Sequence, residues 1–250
     1  MSGEDCFPIY DLVTDTSLTR LGADTVTILV GPEGSEEKFL ILGDLAKQHS
    51  QTIETKVKAL TGTEDATLHM SEYSASNFKI FVSFIYTGKL YTMKDSKENL
   101  LLGELWILGQ ALKSTTLRDA VTDAMIEWRT TAYLIYSDAY IDLAEYLQTK
   151  QQTRTGMGKL LVDTAITSHQ HRIYTDARST KPECLHFFGE VIMGLDRARR
   201  GVESENKILS RARTGIDCVY HEHGTSGICY KNMFPVTKDA LRKTQEAMPR

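Results

Sequence analysis

Residues 78–88 read FKIFVSFIYTG, a proline-free run in which Phe78, Phe81, Val82, Ile85 and Tyr86 recur at i, i+3, i+4, i+7 and i+8. That spacing predicts a helix with one broad apolar stripe turned to a core. Gly88 is placed to end it, because glycine adopts the left-handed backbone position of a helix terminus without steric cost. Ser74 or Ser76 is the expected N-cap, its hydroxyl oxygen accepting from an orphan amide of the first turn. With no reactive side chain on the stripe, the helix reads as a packing element.

Working outward, the upstream run TVTILVG from Thr25 is β-branched, short and closed by Gly31-Pro32. After the acidic turn EGSEE comes KFLILG, so the two runs predict a hairpin. Leu45 to Leu60 is helix-permissive with a thin apolar face (Leu45, Ile53, Val57, Leu60), and ATLHM at 66–70 predicts a third short strand. Downstream, Leu101, Leu105, Leu108 and Leu112 mark one amphipathic helix over 97–112. Leu117, Val121, Ala124, Met125 and Trp128 mark another over 115–129. The short Lys113-Ser114 link between them predicts antiparallel packing. Three further helices are expected at 137–147, 157–168 and 183–199. The chain thus divides into a loose lead-in at 1–23, an α+β domain at 24–130, a helical extension at 131–200 and a polar tail at 201–250.

With 250 residues of which 41% are hydrophobic, the chain has enough apolar surface for a sizeable core. A net charge of −4 and a pI near 6.0 supply no overall attraction to nucleic acid or to an anionic membrane. Four cysteines, at 6, 184, 218 and 229, are too few and too scattered for a disulfide framework, which points to a reducing compartment, cytoplasm or nucleus. The opening MSGEDCFPIYDL has acidic residues where a secretory signal needs basic ones, and no stretch reaches the ~20 apolar residues of a membrane span.

The order of these elements, together with their residues, resembles a BTB/POZ domain. The likeness covers roughly Asp24 to Arg129 and lies in VTILVG with KFLIL, in DLAKQHS, in ATLHMSEYSASNFKIFVSFIYTGKL and in ENLLLGELWILGQALKSTTLRDAVTDAMI. The phrase FIYTG after a Phe-x-x-Phe helix is its most specific part. The remainder, with KLLVDTAI and DCVYHEHGTSGIC, is similar to the C-terminal extension of many fungal members. The resemblance implies a small β-sheet capped by α-helices, followed by an α-helical extension. It implies a non-enzymatic protein–protein interaction module, often a homodimer, that meets co-regulators or a cullin scaffold. Gly43 stands where family members usually carry histidine after the second strand. Before the third strand, Gly62-Thr63-Glu64 has glycine where a cullin binder's apolar anchor belongs, so self-association is the leading expectation and a cullin adaptor the alternative.

One cluster has residue types that metal chemistry uses. Cys218, His221, His223 and Cys229 are spaced C-x2-H-x-H-x5-C, and two thiolates with two imidazoles complete a tetrahedral zinc shell. Gly224 and Gly227 would let the loop fold back, and such a site would staple a tail too polar to fold alone. The His-x-His spacing is unlike the usual finger pattern, where each ligand pair is two or more residues apart, and favours the other reading, a metal-free loop whose cysteines and histidines merely pack. His169, His171 and Asp176 form a weaker set, since a His- and Arg-rich helix end complements the helix dipole without any ligand. Gly156-Met157-Gly158-Lys159 lacks the length of a phosphate loop and reads as a helix start. Arg197, Arg199, Arg200, Arg211 and Arg213 are diluted by acids and read as a solvated helix face. Tyr133, Tyr136, Tyr140 and Tyr146 are expected to pack the extension onto the domain, the other reading being a partner groove. No catalytic arrangement emerges; Cys184 and His186, two apart on a helix, diverge by ~200°.

Overall fold

The computed structural model describes residues 25–60, 67–90, 98–131, 137–149, 155–167, 182–214, 218–223 and 227–233. Three strands, β1 (Thr25–Val30), β2 (Glu37–Leu42) and β3 (Thr67–Met70), form one sheet in the order β2-β1-β3. β1 and β2 are antiparallel, as the expected hairpin requires, and β3 runs parallel to β1. The register sets Val26 opposite Ile41, Ile28 opposite Phe39 and beside Leu68, and Val30 beside Met70. All seven are buried, the period-two signature of a sheet with one face on a core.

That face is covered by α3 (Ala75–Thr87). Phe78, Phe81 and Phe84 are fully buried, each contributing about 1.5–3 kcal/mol by leaving water, and Phe78 meets Phe39 edge-on with ring centroids 5.0 Å apart. Gly88 ends the helix at φ 67°, its amide donating to Phe84 O at 2.7 Å. Two details depart from expectation. Tyr86 is 47% exposed, because its hydroxyl turns to accept the Leu42 amide at 3.0 Å. Ser74 occupies the cap position, but its hydroxyl pairs with that of Ser76 at 2.7 Å and makes no capping bond.

The segment expected as one helix over 45–60 is two, α1 (Gly43–His49) and α2 (Gln51–Ala59). Ser50 divides them in an extended conformation: its hydroxyl oxygen caps Ile53 N at 3.1 Å while its proton goes to Leu112 O at 2.8 Å. α4 (Glu98–Ala111) and α5 (Thr115–Thr131) follow at the anticipated places and pack on each other. The buried stripe of α4 is rotated from the expected one: Leu102 and Trp106 join Leu105 and Leu108, and Leu101 is only partly buried.

The extension supplies α6 (Ser137–Thr149), α7 (Gly156–Thr167) and α8 (Pro182–Arg199). The glycine-rich stretch at 156–159 is the start of α7, as read from sequence. α9 (Glu205–Thr214) lies in the stretch read as a polar tail; Ile208 and Ala212 bury its narrow apolar side against α5 and α7. A single turn, α10 (Tyr230–Met233), packs on α5. The chain is therefore α+β, mostly helical, with a small mixed sheet. Among the described residues no helix is long and apolar enough to cross a membrane.

Candidate metal centre

Cys218, His221, His223 and Cys229 converge, each offering a ligand atom within 4.8 Å of the other three. The local chain explains why. Residues 218–221 close a turn in which His221 N donates to Cys218 O at 2.9 Å, and Cys218 takes the left-handed conformation at φ 56°. A non-glycine residue pays steric energy for that conformation, so the surroundings must hold it there. The return of the loop depends on Gly227: a Cβ there would lie 2.3 Å from His223 O, a contact no side chain tolerates. Cys229 then precedes α10, whose Asn232 amide donates to Cys229 O at 2.9 Å.

The distances suit a tetrahedral cation. His221 Nδ1 and His223 Nε2 are 3.3 Å apart, and His221 Nδ1 is 3.8 Å from Cys229 Sγ. Bond lengths of about 2.0–2.1 Å to nitrogen and 2.3 Å to sulfur place tetrahedral neighbours at roughly 3.3 Å for N···N and 3.6 Å for S···N. Two sulfurs and two nitrogens leave such an ion no fifth partner to recruit and no position for water. The cluster can hold a metal ion.

Behind the ligands stands a layer of partners on α5. His221 Nε2 is 3.1 Å from Asp123 Oδ1, and its imidazole is 1% exposed. This bond directs Nδ1 toward the cluster, the usual role of a carboxylate behind a metal-binding histidine. Asp123 Oδ2 in turn accepts from Tyr230 OH at 2.8 Å and pairs with Lys231 Nζ at 2.7 Å. Burial pushes the Asp123 carboxyl up, but the His221 and Lys231 hydrogen bonds outweigh it and hold the group below its ordinary value. Asp119, 1% exposed, accepts the Glu222 amide and sits 3.9 Å from His223 Nε2; there burial wins and its pKa rises. Burial, with Cys229 beside it, pushes the Cys218 thiol up to about 11. A metal must therefore displace a proton from the Cys218 sulfur as it binds.

The loop is fixed to the extension as well. Glu222 accepts from Gly156 N at 2.7 Å, and Tyr220, fully buried, donates to Asp163 Oδ2 at 2.7 Å. Arg211 clasps Asp163 at 2.8 Å and also bonds Glu203. This corrects the reading of Arg211 as part of a solvated face; Asp196 on α8 and Arg200 just past its end, paired at 2.9 Å, do fit that description. An open cavity of about 770 Å³ beside the site is lined by Lys159, Arg197 and Arg211 and by Asp163, Glu190 and Glu203, so its charges balance.

Of the other residues singled out in the sequence, His169, His171, Asp176, Tyr133, Tyr136 and Gly62-Thr63-Glu64 lie outside the described residues, as do the side chains of Tyr140 and Arg213. Tyr146 packs partly buried against the core, and Cys184 is buried on α8. Sequence reasoning missed Asp119, Asp123, Tyr220 and Glu222. Asp119 and Asp123, at i and i+4 on α5, share one helix face, but acids at that spacing read as a solvated stripe and carry no signal of their own. Compared with known proteins, the chain matches no family model, and no curated protein matches it significantly.

Proposed function

We propose that the protein is a non-enzymatic protein–protein interaction module, built on a BTB/POZ-like domain, in which one structural zinc ion locks the C-terminal segment against α5. The convergence of Cys218, His221, His223 and Cys229 within 4.8 Å supports the zinc part of this reading. A Cys2His2 donor set favours zinc over oxygen-loving cations, and a filled tetrahedron supports a structural ion over a hydrolytic one, which keeps a position for water. The site's supports, Asp123 on α5 and Gly156 on α7, lie in the domain and in the extension, so an ion here ties three parts of the chain together. Self-association is the interaction we favour, since β2 is an edge strand and its Leu40 is 63% exposed.

Metal analysis of protein purified without chelator tests the zinc reading. One zinc per chain is expected, with thermal stability lowered by chelation or by Cys218→Ser; sub-stoichiometric metal, or stability indifferent to both, defeats it. Light scattering tests self-association, with twice the 28.1 kDa chain mass expected at micromolar concentration and a persistent monomer counting against it.

A further inference from the structure

We propose that Cys218 and Cys229 form a peroxide-sensitive pair whose oxidation to a disulfide releases the metal. The inference rests on the zinc reading above. The two sulfurs lie within 4.8 Å of each other. Cys218 is partly exposed, and the loop between the two cysteines carries Gly227 and the 72%-exposed Ile228 at its surface. A small oxidant can therefore reach the pair. Cys184 is fully buried, so the pair is the accessible target among the described cysteines.

The chemistry balances with hydrogen peroxide as the named oxidant. One thiolate attacks a peroxide oxygen, the O–O bond breaks, and the departing hydroxide takes a proton to leave as water; the sulfur becomes a sulfenic acid. The second thiolate attacks that sulfur, the S–O bond breaks, and a second hydroxide leaves with a second proton from solvent. Two thiolates lose two electrons, and one peroxide is reduced to two waters. Disulfide sulfur is a poor donor to zinc, so the ion keeps only His221 and His223 and departs. Selectivity comes from proximity: a resolving sulfur within 4.8 Å captures the sulfenic acid before further oxidation.

The test uses the full chain with its zinc content measured beforehand, treated with hydrogen peroxide in the presence of a chromogenic zinc chelator. One equivalent of zinc is expected to be released, with a mass loss of two hydrogens, a cross-linked peptide pair joining Cys218 to Cys229, and full recovery with dithiol reductant and zinc. The double variant Cys6→Ser/Cys184→Ala is expected to release zinc to the same extent. Zinc retained at peroxide levels that oxidise free cysteine overturns the inference and leaves the zinc reading intact. So does release in which the sulfurs carry separate oxygens or cross-link elsewhere. A chain that never holds zinc overturns both.

Discussion

Asp123→Asn tests the metal centre through a residue that touches no metal. The carboxylate takes three donors at once, His221 Nε2 at 3.1 Å, Tyr230 OH at 2.8 Å and Lys231 Nζ at 2.7 Å. An amide of the same shape offers one accepting oxygen, and its NH2 faces a donor, so at least one partner is lost. Lys231 is 50% exposed and its ion pair adds little. His221 is the costly partner, because its ring is enclosed and its orientation sets where Nδ1 points. Loss of such a support typically weakens zinc 10–100-fold, about 1.4–2.7 kcal/mol. A competition titration against a chromophoric chelator of known affinity is expected to show that rise in Kd at unchanged stoichiometry, with Lys231→Ala within about threefold of the parent. A Kd for Asp123→Asn within about twofold of the parent would refute the argument that α5 holds the histidine for the metal.

Two further outcomes follow from the surroundings. Gly156→Ala should destabilise the chain by about 1–3 kcal/mol in thermal unfolding, since the new Cβ would lie 1.9 Å from Tyr220 O; Gly189→Ala, with nothing within 4 Å, should be neutral or stabilising. Burial pushes the His49 imidazole from 6.5 down to about 4, so the unfolded chain binds the proton first as the medium acidifies. Stability is then complete above pH 6.5 and declines through the window from 6.5 to 4 by up to about 3 kcal/mol. His49→Gln should flatten that decline in urea titrations at pH 7.5 and 5, and an unchanged slope would remove the argument.

Much of the first half of the chain was legible because local signals there agree with tertiary need. The 78–88 pattern became α3 with Gly88 left-handed, and TVTILV and KFLIL became the paired strands. What stayed hidden depends on partners distant in sequence. Nothing local says that β3 lies parallel to β1, that Ser50 will be drawn to Leu112 and divide a helix, or that Tyr86 will turn outward to the end of β2. That Cys218, His221, His223 and Cys229 would cluster was legible from residue type and spacing, because all four fall on one short loop. Its supports were not, since Asp119 and Asp123 look like solvated acids until the loop docks. α9 was missed because Ile208 and Ala212 are its main buried apolar residues, too few to outweigh the surrounding charge.

The candidate ligands are near neighbours in sequence, whereas the aspartates behind His221 and His223 lie 98 and 104 positions earlier. Closing so short a loop costs little entropy, so a newly made or denatured chain can chelate zinc before anything else has formed. Affinity common to both states cancels from the folding equilibrium. A zinc ion at this site would stabilise the native chain by the increment that Asp119 and Asp123 add on docking, so those two carboxylates would set how much of its affinity reaches the fold.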